Sequence, residues 1–139
     1  MKKITTTLLL LLLLASTASG AGFRIIVNKA NRTSALSKSE IAGLLMKKTL
    51  SWSDGTPVLP VDQAVTSKVR ADFTAGILEK KPQAVQSYWR QQIFSGRGTP
   101  PVEQSSDDAV LLFVRNNRGA IGYVSESAPT DGVKVLEVR

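Results

Sequence analysis

Val58-Leu59-Pro60-Val61-Asp62-Gln63-Ala64-Val65-Thr66-Ser67-Lys68-Val69-Arg70-Ala71-Asp72-Phe73 is the stretch on which the fold turns. It follows the turn sequence Ser53-Asp54-Gly55-Thr56-Pro57 and opens with an apolar run, which predicts a strand over 58–61. Pro60 removes a backbone donor and puts part of that strand near a sheet edge. Val69, Phe73 and Ile77 then recur at i, i+4 and i+8, which predicts a helix over 66–78. A strand passing into a helix is the unit of α/β layers, whose ligands settle outside the carboxyl ends of the strands.

Working outward, 23–27 (FRIIV) reads as a buried strand ending at polar Asn28, and 28–37 as a loop. Ser37-Lys38-Ser39-Glu40 matches a capping box, with a helix over about 38–47 behind it. Downstream, Pro82 suits a first helical turn, and Val85, Tyr88, Trp89, Gln92 and Ile93 form the face of the helix it opens. That helix stops at the turn-rich run 95–101. Ser105-Ser106-Asp107-Asp108 caps a further helix carrying Val110, Leu111, Phe113 and Val114. Strands are predicted over 120–124 and 133–138, with Gly119 and Gly122 permitting close backbone approach around the first of them. The gap between the two is too short for a crossover helix, so they are expected to pair antiparallel. The order β-α-β-α-α-α-β-β, with no internal repeat, predicts an α/β fold: a small mixed, mostly parallel sheet flanked by helices.

The chain begins with Lys2 and Lys3, the leucine run 8–14 and the small residues Ala15, Ser16, Ala18, Ser19, Gly20 and Ala21. This is the pattern of a secretory signal peptide, expected over 1–21, with a single domain over 22–139 and a periplasmic destination. Its apolar run is shorter than the roughly 20 residues a membrane anchor needs. Residues 22–139 hold sixteen basic against eleven acidic side chains, a net charge of +5. The basic balance reads either as a solvated surface or as attraction to an anion; no Lys/Arg run exceeds two residues, and nucleic acid is not expected. With no His and no Cys, His-ligated zinc, thiolate metal sites, Ser-His-Asp chemistry and disulfides are excluded. Asp107 and Asp108 are adjacent, face different ways on a helix and read as capping charge; no catalytic residue, metal site or cofactor is expected.

Several strings occur in order: LSKSEI at 36–41, WSDG at 52–55, PVD at 60–62, Tyr88-Trp89, FSGRG at 94–98 and GAIGYV at 119–124. Together they resemble the periplasmic binding protein-like (type 2) family. The likeness is to short, single-lobe relatives of the substrate-binding protein of phosphate ABC transporters. The resemblance implies a non-enzymatic solute-binding lobe that takes phosphate or a similar oxyanion, with a transporter or another envelope protein as partner. In the full-length family two lobes close on the anion, using hydroxyls, helix amides, an Arg and an Asp. Carried onto this chain, the implied ligand-binding residues are Asn28, Asp62, Thr66, Ser67 and Arg70. Lys68 stands where the family has a Gly, and the loop after Asn28 carries Lys29 and Arg32 in place of a Gly-rich turn. Each candidate also has a structural reading: Thr66 or Ser67 as a helix cap, Asp62 as a cap or ion-pair partner, Arg70 paired with Asp72 or Glu79. Trp52, Tyr88 and Trp89 are read as packing residues. A ligand-free lobe serving as an interaction or sensory partner of an envelope protein is the alternative function.

Overall fold

Strand β1, Phe23–Asn28, buries Phe23, Ile25 and Val27 on one face and Ile26 on the other, and lies inside a five-stranded sheet covered from both sides. The computed structural model describes residues 22–139, so the expected signal peptide lies outside the described residues. After β1 come β2 (Ala35–Leu36), α1 (Lys38–Leu45), β3 (Leu59–Gln63) and α2 (Lys68–Phe73), which continues as a π-helical turn, Thr74–Leu78. Then follow α3 (Pro82–Phe94), β4 (Val102–Gln104), α4 (Asp107–Asn116), β5 (Ala120–Ser125), β6 (Val133–Val135) and β7 (Glu137–Val138). The sheet order is β4-β3-β5-β1-β6, and β2 pairs with β7 in a separate parallel ribbon.

Strand β3 is parallel to β4 and β5, and β1 is antiparallel to both β5 and β6. Four of the five strands therefore point one way and β1 alone runs against them. This is the expected mixed, mostly parallel α/β sheet, with one correction. The strands over 120–124 and 133–138 do not pair, because β1 lies between them. The link from Ser125 to Val133 can extend roughly 25 Å. It carries the chain from the end of β5 level with Phe23 to the end of β6 level with Asn28, across the width of β1. A short gap excludes a crossover helix but not a crossing, and only the former was legible. The predicted last strand also divides: Leu136 leaves the sheet edge, and β7 pairs with β2 inside the expected loop.

Alternation along the strands builds two cores. Ile25, Val27, Ile121 and Tyr123 pack beneath α1 and α2 with Ile41, Leu44, Val69 and Phe73. On the other face Ile26, Val61 and Val124 meet Val110, Leu111 and Val114 of α4. A third cluster, Met46, Val85 and Trp89, fastens α3 to the end of α1. The capping box at Ser37 forms as predicted, with Glu40 N–H donating to the Ser37 hydroxyl at 3.1 Å and Ser37 N–H to Glu40 at 2.7 Å. Pro60 sits ahead of the stretch 61–63 that β4 covers, so its missing donor falls where β3 is still an edge.

Both predicted close approaches are present. A Cβ on Gly122 would lie 2.6 Å from Val61, and one on Gly119 would lie 1.9 Å from the carbonyl oxygen of Pro57. The Gly119 carbonyl also accepts the indole N–H of buried Trp52 at 2.9 Å, tying the turn before β3 to the start of β5. Gly119→Ala is expected to destabilise by about 2–4 kcal/mol, because backbone must move to admit the methyl group. Urea titration of the variant would report it as a lower midpoint with unchanged slope.

Candidate functional site

The link from β3 to α2 is built around one buried carboxylate. Asp62 is the last inward position of β3 beneath α2, and its Oδ1 accepts the hydroxyl proton of Tyr123 and the N–H of Gln63 at 3.0 Å. Tyr123 is held flat against Phe73, ring centroids 4.0 Å apart and planes within 4°. Its position comes from strand alternation in β5, which sends residues 121 and 123 to the α2 face. Arg70, one turn into α2, closes the other side: Nη1 donates to the Gln63 carbonyl at 2.7 Å and to Glu103 at 2.8 Å, and Nη2 lies 3.6 Å from Asp62.

Gln63 joins this group to the next one. Its amide Nε2 donates to Asp107 at 2.8 Å and to the Tyr123 carbonyl at 3.1 Å, and its Oε1 accepts the Ser67 hydroxyl at 3.1 Å. The same hydroxyl accepts the Arg70 N–H at 3.3 Å, making Ser67 the N-cap of α2. Asp107, in the first turn of α4, also accepts the N–H of Ser125 at 3.1 Å and its hydroxyl. Among the described residues no buried side-chain nitrogen or oxygen lacks a partner.

Burial pushes the Asp62 carboxyl above its usual range, with the Tyr123 hydrogen bond and the Arg70 charge pulling the other way. The Tyr123 hydroxyl is pushed well above its ordinary value by burial and by the adjacent Asp62 carboxylate. Burial works against the Arg70 charge, but Asp62 and Glu103 prevail and raise its pKa. At Asp107 burial again opposes ionisation, yet the bonds from Ser125 and Gln63 hold its carboxyl below the usual range.

Beside this network, at the carboxyl end of β5 and the amino end of α2, is an open cavity of about 450 Å³ lined by Gly22, Lys68, Val69, Asp72, Ser125, Glu126 and Ser127. Helix geometry leaves the first amides of α2, those of Lys68 and Val69, without intrahelical acceptors. The Lys68 ammonium lies 2.9 Å from Asp72.

The structure thus brings Asp62, Thr66, Ser67 and Arg70 to one end of the sheet. It does not bring Asn28 there. Because β1 runs against β3, the end of β1 is level with Ala120 and Leu59, while Asp62 is level with the far end of β5. Asn28 instead donates to the Val114 carbonyl at 2.9 Å and stops α4. Thr66 is exposed, and the hydroxyl of Ser67 and both amino nitrogens of Arg70 are engaged within the protein. The expected partners of Arg70, Asp72 and Glu79, pair with Lys68 and Lys38. Trp52 and Trp89 are buried packing residues, as read. Gln63, Glu103, Tyr123 and Ser125 were not singled out from sequence, and Asp107 was read only as capping charge; of these, Tyr123, two positions from Ile121 in an apolar strand, carried a signal of its facing. No group of acidic side chains among the described residues is arranged to hold a metal ion.

No protein-family model matches this chain, and no curated protein matches it. Solved structures do. A protein from Clostridium perfringens, described as a phosphate ABC transporter substrate-binding protein and holding bound phosphate, superposes with TM-score 0.68 at 21% identity, covering 84% of this chain and 44% of its own. An ABC-type phosphate transport receptor from Vibrio cholerae gives 0.65 at 18% identity, over 83% of this chain and 45% of that one. PstS from Borrelia burgdorferi gives 0.68 at 14% identity, over 85% and 47%. At these identities the likeness establishes the fold: this chain has the architecture of a single periplasmic-binding-protein-like lobe and spans less than half the length of each neighbour.

Removing Arg70 leaves Asp62 and Glu103 facing each other across a half-buried gap. Arg70→Ala is expected to cost about 2–4 kcal/mol at neutral pH. A carboxyl whose folded pKa lies above its unfolded value holds extra protons in the folded state, so its contribution to stability falls as pH rises through that window. Loss of the guanidinium raises the Asp62 pKa further and widens the window. Urea titrations at pH 4 and pH 7 should therefore show the variant's deficit growing toward neutrality. At Asp107 the sign is opposite: its depressed pKa gives stability at neutral pH that is lost as pH falls below about 4, and Asp107→Asn should flatten that acid limb.

Proposed function

We propose that this chain is an exported, non-enzymatic solute-binding lobe that takes phosphate or a similar oxyanion at the amino end of α2. The observation that carries the reading is the cavity beside that helix end, in a fold whose solved neighbours include a phosphate transport receptor and a phosphate-bound protein. The donors lining it are the amides of Lys68 and Val69, the Lys68 ammonium and the hydroxyl of Ser127, with exposed Thr66 just ahead of the helix cap. Ser67 caps the helix, while Asp62 and Arg70 brace the turn from beneath, so their part is to hold the donors in place. Asp72 and Glu126 line the same cavity and oppose a negative ligand. With one lobe, water competes for every bond, and a net gain of about 4 kcal/mol corresponds to a Kd of about 1 mM. Tighter capture calls for a second lobe, from another copy or a partner. The leader sequence and the neighbours' role in transport support a periplasmic place and a transporter or other envelope protein as partner. Among the described residues no helix is long and apolar enough to cross a membrane.

A second reading, a ligand-free interaction or sensory lobe, is favoured by one observation: Arg70, the strongest anion donor, is fully occupied by Asp62, Glu103 and the Gln63 carbonyl. Calorimetry separates the two. Phosphate and sulfate at millimolar concentration should give saturable heat that Lys68→Ala abolishes and Glu126→Gln strengthens several-fold. No heat from either anion at about ten times the expected Kd would leave the interaction reading in place.

A further inference from the structure

The positive charge of this lobe is not spread over it. Two segments, 41–53 and 80–101, contain Lys47, Lys48, Lys80, Lys81, Arg90 and Arg97 and no acidic residue. The remainder of 22–139 holds ten basic against eleven acidic side chains, so these two segments account for the whole excess. They are also the segments that the fold joins. Met46 packs on Val85 and Trp89, Lys48 stands over the Tyr88 ring at 5.9 Å, and Lys47 reaches the Pro100 carbonyl at 3.4 Å. None of the six cations forms a salt bridge among the described residues, whereas Lys38, Lys68, Arg70 and Arg139 all do.

The apolar part of the same surface is unusual in its placement. Helix α3 buries Val85 and Trp89 and turns the rest of its surface outward. On that outward side Arg90, Ile93 and Phe94 fall at i, i+3 and i+4, with Arg97 just beyond the helix end. Phe94 is 95% exposed and Ile93 54%. The other three phenylalanines are buried or half-buried. Phe94 and Ile93 stand at a tip, flanked by cations and followed by Ser95-Gly96-Arg97-Gly98, so they do not form part of a broad apolar face. A protein partner calls for a contiguous patch of several hundred Å². A projecting aromatic between the unpaired Arg90 and Arg97, on a face with four further unpaired lysines, matches the boundary of an anionic bilayer, where the ring enters the acyl edge and the cations meet headgroups.

We propose that the α1–α3 face is a docking surface for anionic lipid membranes, with Phe94 and Ile93 as the inserted tip and the six cations as the electrostatic contact. This does not depend on the oxyanion reading, since the α2 cavity and this face share no residue.

The chain has no Cys, so one introduced thiol can be labelled alone. Full-length Ile93→Cys carrying a polarity-sensitive fluorophore is titrated with vesicles of about one-third phosphatidylglycerol in phosphatidylcholine, and with phosphatidylcholine alone. A blue shift is expected with the anionic vesicles only, reversed as salt rises from about 50 to 300 mM. A label at Leu112→Cys, exposed on α4 across the sheet from α1, should stay in water under the same conditions, which separates insertion of the tip from binding through residues 1–21. Adding Arg90→Gln and Arg97→Gln should raise the half-saturating lipid concentration about tenfold, and Arg32→Gln, a cation outside the two segments, by less than twofold. Absence of a shift at Ile93→Cys, an equal shift at Leu112→Cys, or equal weakening by Arg32→Gln each overturns the proposal. A shift produced by poly-glutamate but not by anionic vesicles replaces it with an acidic protein partner.

Discussion

A largely buried carboxylate governs the α2 end of this lobe. Asp62 is committed to the sheet by its own backbone, and burial makes its charge costly unless donors surround it. Tyr123, Gln63 and Arg70 supply them from β5, β3 and α2, so satisfying one side chain fixes the mutual position of three elements. Glu103 then draws β4 to the same guanidinium. Through Gln63 the arrangement extends to Asp107 and the start of α4. The amino end of α2 is braced by this network from three sides.

Local signals were legible in the sequence wherever the cause was local. The capping box at Ser37, the Pro-opened helix at Pro82, the Ser106 cap and the glycine approaches at Gly119 and Gly122 depend on residues a few positions apart or on the bare need for space. Strand direction was not legible, because nothing in FRIIV states which neighbours it will have. That single unknown displaced Asn28 from the group in which the family resemblance put it, and hid the crossing between β5 and β6. The short strands β2 and β4 were missed for a related reason: two or three residues take strand form only because a partner edge is already there. The site was half legible. Ser67 as a cap and Asp62 as an ion-pair member follow from residue type and place, but Arg70 chose Asp62 and Glu103 over the acids nearest in sequence. Such a choice is made by packing.

Length and charge point the same way about how the lobe works. This lobe spans less than half the length of its neighbours, and the cavity beside α2 is open. The cavity's own side chains carry both signs, while the uncompensated cations lie elsewhere, on α3 and the end of α1. The cavity and the cationic face are therefore separate surfaces that can be altered independently.

The placement of β1 has a consequence for how the chain acquires its shape. Phe23 has no strand to join until Ser125 has been synthesised, and Asn28 waits for Val133. The centre of the sheet is thus made by the most distant pairings in the polypeptide, a topology that folds slowly and late. Until the final segment emerges from the ribosome, the nascent polypeptide has no complete sheet to lock it.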